Sequence, residues 1–225
     1  MDFGGFQKLT VLDYPSHVAC IVFTKGCNFR CPFCHNSFLV ENCAEQISSE
    51  EILLYLKKRK GVLDGVSVTG GEPLMHQGIV DFIKEVKALG YDVKVDTNGT
   101  FPERLKELVE SSLVDYVAMD IKNSPEKYDI TAGAKTDISK IQESIDFLLS
   151  AKVDYEFRTT VTNELHTPQD IVSISKWISG AKRYFVQNFV DSGNILTGGM
   201  TPVSPETLEE MALCAKDNVQ FVKIR

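Results

Sequence analysis

Apolar, β-branched runs alternate with helical patterns along most of the 225-residue chain, and this alternation constrains the fold more than any other sequence feature. Strands are predicted at about 18–23, 64–69, 92–96, 115–120, 153–160 and 183–188, with a further strand near 219–224. Helices are predicted at about 48–60, 77–89, 102–111, 139–151, 168–179 and 204–216. Strands that alternate with helices indicate βαβ units and a parallel sheet. About six units fit, fewer than the eight of a closed barrel of ~250 residues, so we expect an α/β fold, either a partial barrel or a doubly wound sheet.

Composition and charge exclude several classes of protein. The hydrophobic fraction of 43% and the charged fraction of 24% are ordinary for a globular protein, and no apolar run approaches the ~18 residues of a membrane helix. The net charge is −7 without a basic block, which argues against nucleic acid as a partner. The N-terminus has no signal-peptide pattern, so we expect a cytoplasmic protein without a membrane partner. We expect a single domain over 1–225, with an extension at 1–17, a barrel core at 18–190 and a C-terminal loop, helix and strand at 191–225.

Three of the six cysteines, Cys27, Cys31 and Cys34, lie within eight residues. Clustered thiols in a chain without an export signal are more often metal ligands or redox groups than disulfides. The sequence assigns no chemistry to the remaining three, which are Cys20, Cys43 and Cys214.

Three kinds of metal site are compatible with this cysteine spacing. A structural zinc site needs a fourth ligand, which His35 or Cys43 would have to supply, and no second CxxC is present. The run from Cys31 to His35 also matches the attachment pattern of c-type haem, which is a modification of exported proteins. A [4Fe–4S] cluster held by three thiolates leaves one iron open, as catalytic metal sites do for a substrate. The spacing alone does not choose among the three.

Unusual polar segments follow the predicted strands, at the sheet edge where the chemistry of parallel α/β proteins gathers. The cysteine cluster follows the first strand. The later candidates are Gly70, Gly71, Glu72 and Pro73 after the second strand, Asp96, Thr97 and Asn98 after the third, Asp120 and Lys122 at the fourth, Arg158 in the fifth and Gln187 near the end of the sixth.

The cysteine loop and the GGEP segment together resemble the radical S-adenosylmethionine (SAM) enzymes, in which CxxxCxxC carries an aromatic residue just before its third cysteine. The loop from Gly26 to Asn36, with His-Asn after Cys34, is similar to the cluster loop of glycyl-radical-enzyme activases. The segment from Leu9 to Pro15 resembles their N-terminal segment. Within that group the sequence is most similar to the activating proteins of anaerobic ribonucleoside-triphosphate reductases. The resemblance implies a partial (β/α)6 barrel, an open TIM-like barrel.

The resemblance also implies roles for the candidate residues. Cys27, Cys31 and Cys34 would bind three irons of a [4Fe–4S] cluster, whose fourth iron would take the amino and carboxylate groups of SAM. The predicted SAM contacts are Phe33 at the adenine, Gly70, Gly71, Glu72 and Pro73 at the methionine amino group, Lys122 and Arg158 at the carboxylate, and Gln187 as a further contact. Asp96, Thr97 and Asn98 would line the pocket near a monovalent cation that some members bind, and Asp120 would serve that cation or the ribose.

The activity implied by the resemblance is reductive cleavage of SAM to a 5′-deoxyadenosyl radical, which takes a hydrogen atom from a glycine of an anaerobic ribonucleoside-triphosphate reductase. The electron donor would be reduced flavodoxin or ferredoxin. The alternatives within the superfamily are activation of another glycyl radical enzyme, of the pyruvate formate-lyase type, and action on a small molecule or peptide. The alternative from a different class is a zinc-stabilised binding module. Because SAM carries the radical, no side chain is expected to act as a general acid or base.

Overall fold

The computed structural model of the chain describes residues 1–41, 46–191 and 193–225. These residues form two compact units whose chain segments interleave. The first unit comprises Met1–Asn28, Phe38–Thr97 and Glu103–Val117, and the second comprises Phe29–Ser37, Asn98–Pro102 and Ala118–Arg225. The expectation of a single domain over 1–225 stays a prediction.

Strands and helices alternate along the described residues. Their order is β1 (Asp2–Phe3), β2 (Gly5–Thr10), β3 (Ala19–Thr24), α1 (Ser37–Val40), β4 (Ile47–Ser48), α2 (Ser49–Lys58), β5 (Gly65–Gly70), α3 (Ile79–Ala88), β6 (Asp92–Thr97), α4 (Pro102–Glu110), β7 (Tyr116–Asp120), α5 (Tyr128–Ala132), α6 (Ile138–Ser150), β8 (Asp154–Val161), α7 (Pro168–Trp177), β9 (Tyr184–Asn188), α8 (Pro205–Ala215) and β10 (Val222–Ile224). No helix within these ranges is long and apolar enough to cross a membrane.

The strands of the first unit pair in the order β2-β3-β5-β6. β3 and β5 are parallel, with Ala19 opposite Gly65 and Thr24 opposite Gly70, and β6 continues parallel to β5. β2 is antiparallel to β3, and β1 pairs separately with β4. The carboxyl ends of β3, β5 and β6 therefore lie side by side, which places the segments that follow them together.

The strands of the second unit pair in the order β7-β8-β9-β10, and β8, β9 and β10 are mutually parallel. Along the chain, β3, β5, β6, β7, β8 and β9 are each followed by a helix. The prediction of six βα units in an α/β fold is therefore confirmed.

Local sequence signals explain where the helices begin. The Ser48 side chain accepts a hydrogen bond from the Glu51 backbone N–H at the start of α2. Thr167 and Asp170 form a capping box at the start of α7, and Pro168 occupies a first-turn position where its missing N–H costs nothing. Each such cap contributes about 1 kcal/mol of helix stability.

The sequence did not predict β2, α1 or α5. β2 lies within the predicted extension at 1–17 and is an edge strand in which only Thr10 is buried, so it lacks an apolar pattern. α1 and α5 have four and five residues, which is too short for a helical period to show.

Candidate active site

In the first unit, the GGEP segment is bonded to the backbone that leads into Cys27. The Gly71 N–H donates to the Thr24 carbonyl at 2.9 Å, and the Glu72 N–H donates to the Gly26 carbonyl at 2.9 Å. A Cβ added to Gly71 would lie 1.7 Å from the Gly26 carbonyl oxygen. Gly71 therefore allows the segment after β5 to approach the start of the cysteine loop, a contact within the protein that the sequence did not predict.

The Glu72 carboxylate connects the ends of β5 and β6. The side chain is 1% exposed, and its Oε1 accepts hydrogen bonds from the Leu74 N–H at 3.0 Å and from the Thr97 hydroxyl at 2.8 Å. Pro73 begins a 3₁₀ turn directly after it. Two predicted residues, Glu72 and Thr97, are thus brought together, and the turn that follows β5 is fixed.

Lys94 is a buried charge that the sequence analysis missed. It is 2% exposed in the middle of β6, and its ammonium forms an ion pair with the carboxylate of Asp96. Residues two apart on a strand share a face, which is why the two side chains meet. A single lysine inside the otherwise apolar run of β6 was the signal available in the sequence. Asp96, predicted to lie near a bound monovalent cation, has this ammonium as a partner in the structure.

We expect Lys94→Met to lower the free energy of unfolding by about 3–5 kcal/mol, because the substitution leaves the largely buried Asp96 carboxylate without its ammonium partner. Urea unfolding of the cluster-free protein measures this loss. Lys84→Met is the matched control, since Lys84 pairs with Asp81 on an exposed helix surface and such pairs contribute about 0–1 kcal/mol. Equal losses of unfolding free energy in the two variants would show that the buried pair of Lys94 and Asp96 contributes no more than an exposed ion pair.

In the second unit, Phe33 lies in the cysteine loop and is 5% exposed, with its ring edge-on to the His166 imidazole at 6.3 Å between centroids. His166 is 3% exposed, donates from Nε2 to the Lys122 carbonyl at 2.8 Å and accepts at Nδ1 from the Thr162 N–H. Burial lowers the pKa of His166, so the imidazole is neutral. The histidine precedes α7 and its position alone indicates a capping residue, yet it supports both Phe33 and the backbone at Lys122.

Helix α5 is fixed against the cysteine loop. The Arg30 N–H donates to the Ala132 carbonyl at 2.8 Å, one residue before Cys31. Gly133 ends the helix with φ +63°, and a Cβ there would lie 2.1 Å from the Arg30 carbonyl oxygen. The close approach therefore requires glycine, and it holds α5 beside the second cysteine of the motif.

Asp120, Lys122 and Arg158 form one charged cluster at the carboxyl end of β7, beside the middle of β8. The Asp120 carboxylate accepts from Arg158 Nε at 2.8 Å and from Lys122 Nζ at 3.0 Å. Burial acts to raise the pKa of Asp120, but the charges of Arg158 and Lys122 prevail and lower it to about 2. Burial acts to lower the pKa of Lys122, and the Asp120 carboxylate outweighs it and raises that pKa. All three groups are therefore ionised at neutral pH.

Cys31 lies close enough to this cluster for its charges to act on the thiol. Burial raises the pKa of Cys31 to about 11, and the Lys122 ammonium partly opposes that rise. Cys31 is 7% exposed, whereas Cys34 is half-buried and its N–H donates to the Cys31 carbonyl at 3.0 Å. The second unit thus places two predicted metal ligands and three predicted SAM contacts in one neighbourhood.

Two further candidates are less informative. The Asn98 side-chain oxygen accepts from the Thr100 N–H at 3.0 Å and from its hydroxyl at 2.6 Å, which shapes the turn after β6. Gln187 lies on β9 opposite Thr160 and is half-buried. Their contacts with SAM stay predictions, and Cys43 lies outside the described residues.

The three thiols of the motif are free of disulfides, and Cys27 is half-buried in the first unit. Among residues 1–41, 46–191 and 193–225, no three histidine, cysteine, aspartate or glutamate side chains are grouped so as to hold a metal ion. In an iron–sulfur cluster each thiolate binds a different iron, and thiolate is the ligand that such clusters prefer. By the chemistry of the donors, three thiolates suit a [4Fe–4S] cluster, and Cys27, Cys31 and Cys34 as its ligands stay a prediction.

Comparison with known proteins decides the family. The family model of the radical SAM superfamily matches residues 21–178. The chain belongs to the radical SAM superfamily. Enzymes of this superfamily use a [4Fe–4S] cluster and SAM, as predicted, and the α/β fold with its parallel sheet is consistent with the predicted partial barrel.

Two curated relatives illustrate what the chain is similar to. It is 33% identical over 196 residues to MJ1227 of Methanocaldococcus jannaschii, provisionally named a glycyl-radical enzyme activating enzyme, and the match covers 83% of this chain and 79% of the relative. It is 34% identical over 133 residues to the GTP 3′,8-cyclase of Alkaliphilus oremlandii, covering 56% of this chain and 41% of that enzyme. The chain thus spans most of the first relative and less than half of the second.

Solved structures agree on the fold. Streptococcus suis SuiB bound to S-adenosylmethionine superposes with a TM-score of 0.68 at 16% identity, over 89% of this chain and 48% of SuiB. A domain of the pyruvate-formate lyase-activating enzyme from Bacteroides vulgatus superposes with a TM-score of 0.59 at 18% identity, over 72% of this chain and 98% of that domain.

Proposed function

We propose that this radical SAM enzyme is an activase that generates the glycyl radical of an anaerobic ribonucleoside-triphosphate reductase. The observation that carries the proposal is the 33% identity to the M. jannaschii activating enzyme over 79% of that protein's length. The resemblance of the cysteine loop to the activases of these reductases supports the choice of partner. Reduced flavodoxin or ferredoxin is the proposed electron donor.

Three thiolates would hold the cofactor in this enzyme. Cys27, Cys31 and Cys34 would bind the [4Fe–4S] cluster, which supplies the electron for one-electron cleavage of SAM when bound. The protein's own contribution is to hold the backbone next to two of these cysteines. The segment of Gly71 and Glu72 holds the backbone before Cys27, and α5 holds the backbone before Cys31.

The remaining candidates would bind and orient SAM. Lys122 and Arg158 carry the positive charges that suit its carboxylate, and they are kept in position by Asp120 between them. Phe33 would contact the adenine, with His166 behind it. The backbone of Gly70 to Pro73 would serve the amino group, Gln187 would add a further contact, and Asp96, Thr97 and Asn98 would line the pocket.

We expect Arg158→Gln to raise the dissociation constant of SAM about 10- to 100-fold, because a hydrogen bond to a charged group contributes about 1.5–3 kcal/mol. Equilibrium dialysis with the cluster-loaded protein measures the constant. Arg183→Gln is the matched control, since Arg183 also pairs with an aspartate, Asp154, but at the amino end of β8. An unchanged constant in Arg158→Gln would remove this residue from the SAM site.

The partner can be tested by competition between candidate substrates. The reduced, cluster-loaded protein is mixed with SAM and either the anaerobic ribonucleotide reductase of the same genome, a pyruvate formate-lyase, or no partner. We expect stoichiometric 5′-deoxyadenosine and loss of one glycine hydrogen only with the reductase. Turnover only with the lyase would assign the chain to the activases of the pyruvate formate-lyase type. Turnover with neither enzyme, but with GTP or a peptide added in their place, would assign it to the enzymes that act on a small molecule or peptide.

A further inference from the structure

The two carboxylates predicted to serve a monovalent cation, Asp96 and Asp120, are both paired with cationic side chains of the protein. In the first unit, the Asp96 carboxylate forms an ion pair with the Lys94 ammonium. In the second unit, Asp120 accepts hydrogen bonds from Arg158 Nε at 2.8 Å and from Lys122 Nζ at 3.0 Å. The residues present therefore do not fit a bound monovalent metal ion.

The fold holds the Lys94 ammonium at Asp96. Lys94 is buried in the middle of β6, and both side chains lie on one face of the strand because the residues are two apart. A buried ammonium is tolerated where a carboxylate pairs with it. Because this ammonium is part of the chain, the pair forms whatever salt is in solution.

A metal ion could bind Asp96 only by sharing the carboxylate with Lys94. Two unit positive charges about 4 Å apart repel each other enough, near a protein surface, to weaken binding of the second roughly a thousandfold. The ion pair also has the same net charge as a carboxylate with Na⁺ or K⁺. The lysine thus supplies the charge that such an ion would bring and opposes its binding.

Ser67 is an oxygen ligand that would remain if the ammonium were removed. It lies opposite Lys94 on β5 and is fully buried, and its hydroxyl has no hydrogen-bond partner within the part of the chain that the structure describes. Hard cations are bound by oxygen atoms of carboxylates, of other polar groups and of water. Without the lysine side chain, the Asp96 carboxylate, the Ser67 hydroxyl and water could together hold a small cation.

We propose that the Lys94 ammonium takes the place of a monovalent metal ion at Asp96, so that this enzyme binds SAM without Na⁺ or K⁺. Lys94 is a positioning residue. It holds Asp96 at the end of β6, where the next residue, Thr97, donates from its hydroxyl to Glu72 of the GGEP segment at 2.8 Å. The proposal rests on the proposed place of Asp96 in the SAM pocket and does not depend on which enzyme is activated.

The wild-type protein gives the first test. Equilibrium dialysis of the cluster-loaded protein measures the dissociation constant of SAM in NaCl, KCl and choline chloride at equal ionic strength. Choline is too large to replace a metal ion, and none is needed, so we expect the three constants to agree within about twofold. Binding that is more than about fivefold tighter in NaCl or KCl than in choline chloride would overturn the proposal.

Lys94→Ala gives the second test. In choline chloride we expect this variant to bind SAM about tenfold more weakly than the wild type, because the Asp96 carboxylate has lost its charged partner. NaCl, KCl or methylammonium chloride should restore the affinity, since each supplies a cation small enough for the vacated space. The urea midpoint of the variant without cluster should likewise be higher in KCl than in choline chloride. A merely structural role of Lys94 would not produce this rescue.

Lys84→Ala is the matched control, since Lys84 also pairs with an aspartate, Asp81, but on an exposed helix surface. Its affinity for SAM and its urea midpoint should not depend on which of these cations is present. The same independence is expected of the wild type.

Two results with Lys94→Ala would also overturn the proposal. One is wild-type affinity in choline chloride, which would mean that the ammonium is not needed. The other is equally weak binding in all the salts, which would mean that no cation can replace it. If the variant does not fold, the comparison of salts with the wild type decides alone. A wild type that binds SAM in none of the salts would instead contradict the proposed function, so the two failures are distinguishable.

Discussion

Cys31→Ala is expected to reduce 5′-deoxyadenosine formation from SAM to the level of a sample without protein. The substitution removes one of the three thiolates expected to bind the cluster, whose fourth iron has no cysteine ligand. Iron should therefore fall from about four per chain to a small remainder after anaerobic reconstitution. Iron and sulfide analysis, together with quantification of 5′-deoxyadenosine by chromatography, measures both losses in the same preparation.

Cys214→Ala is the matched control for this substitution. Cys214 is also a free cysteine, but it is half-buried, lies on α8 and is outside the cysteine loop. We expect wild-type iron content and wild-type SAM cleavage in this variant. Cleavage that persists in Cys31→Ala with its iron intact would contradict the assignment of the cluster ligands, and a zinc-only wild type after anaerobic purification would favour the binding-module alternative.

Gly71→Ala is expected to have the largest effect on cluster content of any substitution outside the cysteines. The added methyl group would lie 1.7 Å from the Gly26 carbonyl oxygen, so the backbone must move and the hydrogen bond from the Glu72 N–H must break. We expect a loss at or above the upper end of the ~1–3 kcal/mol that overpacking costs, and a large drop in cluster content because the cysteine loop loses its support. Urea unfolding and iron analysis measure the two effects.

Gly78→Ala separates this steric effect from the general cost of replacing a glycine. Gly78 has φ −77°, and the nearest atom to an added Cβ is Met1 Cβ at 3.6 Å, an ordinary contact. This variant should keep its cluster and change stability by less than about 1 kcal/mol. If Gly71→Ala behaves in the same way, the segment does not position the cysteine loop.

The sequence predicted the six βα units because strands such as β3, β7 and β9 are largely buried on both faces and appear as short apolar runs between helical patterns. It missed β2, since an edge strand with one buried residue carries no such signal, and it missed five-residue α5 for lack of a helical period. The polar candidates could be located because the functional residues of parallel sheets gather at the carboxyl ends of the strands.

Most partners of those candidates could not be predicted, because they come from tertiary contacts. His166 lies behind Phe33, and Ala132 of α5 bonds to the cysteine loop, although both are far from it in sequence. Lys94 is the exception, since it lies two residues before Asp96 on the same strand. Gly71 was predicted to allow approach to a ligand, and the structure adds a contact with Gly26 that only the folded loop reveals. We expect these supporting residues to determine how rigidly the cysteine loop and the predicted SAM contacts are positioned.

The most direct test of the proposed function is anaerobic EPR spectroscopy of a single reaction mixture. The reduced, cluster-loaded protein is combined with SAM and the anaerobic ribonucleotide reductase of the same genome, and 5′-deoxyadenosine is quantified in the same tube. The proposal predicts a glycyl-radical doublet in the reductase, absent when Cys31→Ala replaces the wild type. Steady 5′-deoxyadenosine formation without a doublet would contradict the proposed partner, and neither signal from a protein with a verified cluster would contradict the proposed chemistry as a whole.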